Sequence, residues 1–435
     1  MQNDTASAVP AAIRGLAGAA PGLALTALLV AFVEPRATPG LIALLTVPAV
    51  IVAAHKERIR WPYRPVPLEV AAICLGAYIA INASWSVEPL EAYGKVALYA
   101  ALGLLISLAA RAIPALGEEA ARRLWHAVII AVGIAAAFLA VEAAFGQPIK
   151  RAVSTLLPFL RPPAKHVMME AGRVVHIGHY VLNRNVALLC LMLWPALLMA
   201  RAALKPSAAR VVMAGLLGLT AIAVLSSEHE TSMLALVAGC LVFAGMWALP
   251  GIVRWLVVAG WVTATLLIVP LAASAYSNGL YQAQWMPKTA RNRIVLWGVT
   301  ASKVRETPLL GVGLGSTKSL DQEAADSAAW PKDHPYPLRT GRHSHNIYMQ
   351  TWYELGAVGA ALLLALGLAL QYGLSRLSVQ IQPYAYASLV TAALVAAFSW
   401  GMWQPWFMAA FGFWGVGLLM AQDAARRTAE VSAPP

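Results

Sequence analysis

The chain has 435 residues, of which 60% are hydrophobic and 12% are charged, and its mean hydropathy is +0.65. A soluble domain of this length does not need so much apolar surface, so the composition excludes an ordinary water-soluble enzyme. The net charge is +12, but many of the 32 basic residues lie in or beside two polar segments, near 146–184 and 273–346. This distribution argues against a nucleic-acid partner.

Long apolar runs repeat along the whole chain. Runs of about twenty apolar residues are typical of helices that cross a membrane. We therefore predict an all-α, polytopic membrane protein with about twelve transmembrane helices, folded as one domain over residues 1–435 and surrounded by membrane lipids. The predicted spans are 16–33, 39–54, 67–83, 95–113, 124–145, 180–200, 210–226, 231–248, 254–272, 347–370, 384–401 and 404–421.

Basic residues concentrate on one side of the predicted spans. With the N-terminus placed in the cytoplasm, the inner connections are rich in Lys and Arg, whereas the short outer turns carry only Arg36 and Lys95. By the positive-inside rule, both termini and the connection 55–66 are predicted to be cytoplasmic. The two long polar segments then lie outside, where a basic surface suits an anionic partner such as a phosphorylated lipid.

The second outer segment, residues 273–345, is predicted to be a partly helical periplasmic loop between the ninth and tenth spans. Arg291 to Glu306 places apolar side chains at helical spacing and predicts a surface helix that Pro308 ends. Ser319-Leu-Asp-Gln322 has the pattern of a capping box and predicts a second short helix towards Trp330. A loop that carries its own helices is more often functional than a plain connector.

A glycine-rich stretch, Gly311-Val-Gly313-Leu-Gly315, invites comparison with nucleotide-binding loops. The residue after Gly315 is Ser316, so the spacing departs from G-x-G-x-x-G, and no strand precedes the stretch. We interpret it as a tight turn after Pro308.

His345 stands where the polar loop meets the apolar run 347–370, with Asn346 beside it. An ionisable side chain is costly at such a place and indicates function, although a histidine hydrogen-bonded to a loop is the simpler alternative. The positive end of a helix beginning here disfavours imidazolium and leaves a ring able to accept a proton.

A metal site is the other interpretation of this histidine. His343 and His345 would supply two ligands and Asp333 a third. No H-E-x-x-H pattern or cysteine cluster supports such a site, so we predict neither a metal nor another cofactor.

Arginines accompany His345. Guanidinium groups grip phosphate oxygens with two parallel hydrogen bonds, so arginines near a candidate base indicate a phosphorylated ligand. The loop and the start of the sixth span supply Arg291, Arg293, Arg305, Arg339, Arg342 and Arg184.

Two carboxylates flank His229 in the turn between the seventh and eighth spans. Glu228 and Glu230 fit a solvated turn. The alternative is that one of them reaches the site and orients a basic group there.

These motifs resemble a known family. His345-Asn346, nine residues and then Gly356-x-x-Gly359 resemble the signature of the bacterial O-antigen ligase and polymerase superfamily. Arg293-Ile-Val-Leu-Trp297, the stretch Pro308–Gly315 and "HNIYMQTWYELGAVG" follow that superfamily's order. The similar hydropathy pattern extends the resemblance over the whole chain.

The resemblance implies a metal-independent, inverting glycosyltransferase at the periplasmic face of the bacterial inner membrane. Such a ligase moves a polysaccharide from undecaprenyl diphosphate to the lipid A–core of lipopolysaccharide. His345 would act as the base on the acceptor hydroxyl or would stabilise the departing diphosphate. The residues implied around it are the donor-diphosphate contacts Arg293 and Arg184, with Arg291 or Arg342, and the accessory residues His343, Asn346, Glu228 and Glu230.

Three other activities stay open. The superfamily also contains O-antigen polymerases and protein O-oligosaccharyltransferases. Polymerases are expected to show Arg-x10-Gly patterns in both outer loops, whereas here only Arg161 and Gly172 match, so ligation is favoured. Twelve spans are also typical of transporters, but the sequence shows no matching halves and no charges near the middle of the spans.

Overall fold

The structure is a computed structural model that describes residues 11–55, 64–327 and 335–432. Within these ranges helices dominate, and the two strands β1 (Val167–Glu170) and β2 (Arg173–Ile177) form one antiparallel hairpin. The α-helices, numbered α1 to α15 in chain order, are Ala11–Val33, Thr38–His55, Pro67–Asn82, Pro89–Ala112, Glu118–Ala144, Pro148–Leu156, Asn183–Ala203, Pro206–Leu225, Glu230–Ala248, Pro250–Ser277, Lys288–Val304, Thr317–Ser327, Ile347–Ser375, Gln382–Phe398 and Pro405–Ser432.

The predicted class, an all-α polytopic membrane protein, is confirmed. In the described part of the chain, ten helical segments are long and apolar enough to cross a membrane, and Gly18–Val33 and Gln382–Phe398 are shorter apolar helices. These twelve segments follow the twelve predicted spans in order. Of the predicted cytoplasmic connection 55–66, residues 56–63 lie outside the described residues. The side of the membrane on which each connection lies stays a prediction.

Two helices lie inside the second outer segment. The helix predicted over 291–306 is observed as α11. The predicted capping box is wrong, because α12 begins at Thr317, two residues before Ser319. The cause is tertiary: the N–H of Thr317 donates to the Glu354 carboxylate, 3.3 Å away, so a distant side chain caps this helix. Trp330, where the helix was predicted to end, lies outside the described residues.

The first of two compact units comprises residues 1–63, 104–236 and 409–435. In this unit α5 packs against α1, α7 and α8, and α7 is buried continuously from Asn185 to Ala200. A helix that is apolar on all sides belongs in such an interior. The side-chain amide of Asn185 donates to the carbonyl groups of Phe32 (2.6 Å) and Val33 (3.0 Å). The start of α7 is therefore fixed to the end of α1.

The second unit comprises residues 64–103 and 237–408 and is built around α13. This helix packs against α3, α10, α11 and α14. It is interrupted at Gly356, whose φ of 64° and ψ of −164° are not helical. An interruption inside an apolar helix leaves backbone carbonyl groups without their helical partners, and each of them needs another donor.

The glycine-rich turn supplies part of what the interrupted helix lacks. The N–H groups of Val312 and Gly313 donate to the carbonyl groups of Tyr353 and Glu354, both at 3.0 Å. The predicted tight turn is confirmed, since Gly311, Gly313 and Gly315 have φ values of 71°, 100° and 73°. A Cβ at Gly311 would lie 2.4 Å from the backbone of Glu354, so only glycine allows this approach.

Helix α3 supplies the remaining donors. The Tyr78 hydroxyl donates to the Leu355 carbonyl at 2.8 Å, and the Asn82 amide donates to the carbonyl groups of Leu310 (2.9 Å) and Glu354 (3.3 Å). The break in α13, the glycine-rich turn and α3 therefore form one hydrogen-bonded unit.

We expect Gly356→Ala to lower the free energy of unfolding by about 1–3 kcal/mol, the usual cost of a strained backbone. The new Cβ would lie 2.3 Å from the Leu309 carbonyl oxygen, and φ would stay positive. Gly373→Ala is the matched control, because a Cβ at Gly373 on the same helix meets nothing within 4 Å. Thermal unfolding of both variants in detergent measures the difference, and equal stability would contradict the proposed constraint.

Candidate functional site

His345 immediately precedes α13, in a turn whose geometry is tightly held. Its φ is 50°, a left-handed conformation that few residues other than glycine adopt. The next residue, Asn346, is the N-cap of α13, and its side-chain oxygen accepts the Met349 N–H at 3.0 Å. The histidine predicted from the sequence therefore lies at a helix N-terminus.

The imidazole of His345 is oriented by a backbone carbonyl. Its Nδ1 lies 2.5 Å from the carbonyl oxygen of Ser399, which can only accept a hydrogen bond. Nδ1 therefore carries the proton, and Nε2 of the neutral ring has a lone pair that can accept one. The His343 ring lies 4.1 Å away, centroid to centroid.

Burial disfavours the charged form of both histidines. It lowers the pKa of His345, with the nearby charge of Arg293 acting in the same direction and the hydrogen bond to Ser399 opposing it. Burial, followed by the charges of His345, Arg342 and Arg293, lowers the pKa of His343 to about 3. A neutral His345 was predicted from the helix N-terminus; the structure adds burial and Arg293 as causes.

Helix α11 brings Arg293 to the histidines. Trp297, one turn beyond Arg293, donates its indole N–H to the Ser344 carbonyl at 2.7 Å. Residues two apart on a helix differ by about 200° in direction, and α11 begins before both Arg291 and Arg293. Arg291 donates instead to the Gln284 side chain at 3.3 Å. The two arginines therefore point to different sides of α11, and Arg293 as a diphosphate contact stays a prediction.

The remaining arginines of the loop differ in their surroundings. Arg342 is exposed, and its charge acts on His343. Arg339 donates two hydrogen bonds to the buried carboxylate of Asp321 in α12, which gives it a structural role. Arg305 is exposed at the end of α11.

Arg184, Glu228 and Glu230 belong to the first unit. Arg184 is half-buried in the first turn of α7, with the charges of Glu34 and Arg36 as its electrostatic neighbours. Glu228 and Glu230 are exposed, and between them the buried His229 ring is hydrogen-bonded to the Ser232 hydroxyl at 2.7 Å. This arrangement agrees with a solvated turn, and an accessory role for the two carboxylates stays a prediction.

Three buried polar atoms beside His345 make no hydrogen bond within the described residues. They are Nδ1 of His343 and the hydroxyl oxygens of Ser344 and Ser399. Buried polar atoms are normally paired, so this neighbourhood has spare capacity for a hydroxyl-rich or hydrated ligand. Over the same residues, no group of three His, Cys, Asp or Glu side chains could hold a metal ion, and Asp333 lies outside them.

Sequence reasoning missed Glu354, which is fully buried. Its carboxylate accepts hydrogen bonds from Gly315, Gln350 and Trp403, and two from Thr317. The available signal was its position inside an apolar run, where a carboxylate is costly unless it is fully hydrogen-bonded.

Part of the chain is similar in sequence to a family of known proteins. The family profile described as "O-Antigen ligase" matches residues 215–364, which include Arg293, His345 and Glu354 but not Arg184. This match and the relatives below support the predicted resemblance to the O-antigen ligase family. The helices described above make the chain a multi-pass membrane protein.

Three relatives are named "putative polysaccharide ligase". Those of Rickettsia typhi and Rickettsia prowazekii are each 25% identical over 60% of this chain and 64% of their own length. That of Rickettsia conorii is 27% identical over 55% of this chain and 57% of its own length. The chain thus spans less than two thirds of each of these relatives.

The lowered pKa of the half-buried His343 predicts a loss of stability in acid. The unfolded chain takes up a proton near pH 6.5 and the folded chain only near pH 3, so stability falls as the pH drops through this window. We expect His343→Asn to lose less thermal stability than the wild type between pH 7 and pH 4. His176→Asn, at an exposed histidine, should follow the wild type. A parallel decline in all three proteins would contradict the assignment.

Proposed function

We propose that this protein is a glycosyltransferase that moves a polysaccharide from undecaprenyl diphosphate to the lipid A–core of lipopolysaccharide. The observation that carries the proposal is the arrangement of His345, with Nδ1 held by Ser399, Nε2 able to accept a proton and Arg293 nearby. The family and the names of the relatives support polysaccharide transfer. The concentration of Lys and Arg in the predicted inner connections supports a site that faces the periplasm of the inner membrane.

In the proposed reaction, Nε2 of His345 removes the proton from the acceptor hydroxyl. The acceptor oxygen then bonds to the anomeric carbon as the bond from that carbon to the diphosphate oxygen breaks, with inversion and without a covalent enzyme intermediate. The electron pair of the broken bond leaves on undecaprenyl diphosphate. A neutral imidazole can accept a proton, but it carries no positive charge to stabilise the departing diphosphate. We therefore assign His345 the role of general base.

Arginine provides the counter-charge for that leaving group. Arg293 is the first choice, because its charge acts on both histidines of the turn. Arg342 is the second choice, because its charge acts on His343. Arg184 is proposed from its place at the start of α7, and Arg291 is the weakest candidate because it is engaged with Gln284.

The test is transfer by purified protein in detergent, with lipid-linked glycan and lipid A–core as substrates and a slower-migrating lipopolysaccharide band as the readout. His345→Ala should lower the rate by roughly 10²–10⁴, the usual worth of a positioned general base. His343→Ala should cost much less, and a chelator should have little effect. Wild-type activity in His345→Ala would show that His345 is not the general base. An inert detergent sample whose proteoliposomes accumulate a solute would indicate a transporter instead.

Substitution of single arginines should distinguish a specific contact with the donor diphosphate from attraction of anions by the overall charge of the loop. Arg293→Ala and Arg184→Ala should each lose about ten- to a hundredfold in initial rate, because a charge-assisted contact contributes about 1.5–3 kcal/mol. Arg293→Lys should recover part of the rate, because a point charge cannot reproduce the two-pronged guanidinium contact. Arg305→Ala, at an exposed arginine, is the control and should be near neutral. Equal losses in all variants would mean that the loop merely attracts anions.

A further inference from the structure

Two polar residues one helical turn apart interrupt the apolar character of α13. Gln350 and Glu354 are both buried, with 3% and 0% of their surfaces exposed. The Gln350 amide nitrogen donates to Glu354 Oε1 at 3.0 Å. Polar side chains in such a position are costly unless their partners are all supplied, so this pair needs a structural or functional explanation.

The pair holds the segment Ser399–Trp403, which joins α14 to α15. The side-chain oxygen of Gln350 accepts the Met402 N–H at 3.1 Å, and the indole N–H of Trp403 donates to Glu354 Oε2. At its other end the segment presents the Ser399 carbonyl that binds His345. The same few residues therefore connect α13 to the imidazole.

The segment lies between the end of α14 at Phe398 and the start of α15 at Pro405. Ser399 is the C-cap of α14, where the helix ends with φ of −113° and ψ of −95°. The segment also lies close against the histidines, since a Cβ at Gly401 would lie 2.8 Å from the Cβ of His343. A small displacement would therefore move the acceptor of His345.

We propose that Gln350, together with Glu354, is a positioning residue that fixes the tautomer of His345 through the segment Ser399–Trp403. With the Ser399 carbonyl in place, the proton stays on Nδ1 and Nε2 accepts. Without it, the proton can reside on Nε2, and the ring can no longer act as a base on the side facing away from Ser399. This inference rests on the proposed role of His345.

Gln350 is a better test of the inference than Glu354. The Glu354 carboxylate also binds Gly315 and Thr317, so its loss would release the glycine-rich turn and the start of α12. Among the described residues, the Gln350 side chain is hydrogen-bonded to Met402 and Glu354. Gln350→Met removes these two hydrogen bonds and keeps a side chain of similar length.

Gln371 provides a matched control on the same helix. It is buried, with 3% of its surface exposed, and neither polar atom of its side chain has a hydrogen-bond partner among the described residues. Gln371→Met should therefore leave transfer within about twofold of the wild type, as expected for a substitution away from any network. Gln350→Met should lower kcat by up to roughly 100-fold with little change in KM, because a displacement of about 1 Å at a reacting group can cost on the order of 10² in rate.

The pH profile distinguishes positioning from a general loss of structure. The hydrogen bond to Ser399 raises the pKa of His345, so its loss should lower that pKa further. Transfer requires the neutral ring, and the acid limb of kcat/KM should therefore move to lower pH in Gln350→Met but not in Gln371→Met. Gly401→Ala provides a second route to the same shift, because its Cβ would push the segment away from His343.

The outcomes separate this inference from the proposed function. Reduced kcat with a shifted acid limb in Gln350→Met, or in Gly401→Ala if the former does not fold, supports positioning. If His345→Ala loses activity but Gln350→Met, or Gly401→Ala in its place, keeps the wild-type rate and acid limb, the positioning inference is wrong. The role of His345 as the base then still stands. If His345→Ala keeps the wild-type rate, the base and the positioning inference both fail.

Discussion

A helix that is interrupted within an apolar protein must find new partners for its backbone, and the second unit is arranged around that requirement. At the break in α13, the glycine-rich turn and two side chains of α3 supply the missing donors, while the Glu354 carboxylate gathers five hydrogen bonds one turn away from Gln350. Both the loop and the segment between α14 and α15 are thereby fixed to one helix. The turn that contains His345 directly precedes this same helix. The hydrogen bonds that hold the interruption of α13 in place therefore also help to fix the position of His345.

Burial and charge act together on the histidine turn. The same burial that lowers the pKa of His343 and His345 also strengthens every electrostatic interaction with a neighbouring arginine, because the local dielectric is low. A base and an anion contact can therefore coexist in the proposed site, where the charge of Arg293 lowers the pKa of the imidazole and the proposal also assigns that charge to a phosphate. The proposed reaction uses both effects, since the base must begin neutral and the leaving group departs as an anion.

The sequence predicted the features that depend on local chemistry. The twelve apolar segments follow from the length that a membrane demands, and α11 follows from its spacing of apolar residues. His345 stood out because an ionisable group beside an apolar run is rare. The partners of Glu354 and Gln350 could not be predicted, because Gln350 and Met402 are 52 residues apart. The start of α12 was predicted wrongly for the same reason, since its cap is a side chain from another helix.

The left-handed backbone at His345 has a consequence for how tolerant this position is to change. Two requirements apply to this residue: its side chain must be an imidazole, and its backbone must adopt the left-handed conformation. Glycine and asparagine tolerate the left-handed backbone but lack the imidazole, whereas valine and isoleucine meet neither requirement. A library of all substitutions here should therefore separate into well-folded inactive proteins and poorly folded ones. Comparing the two groups would give the cost of the backbone apart from the chemistry of the imidazole.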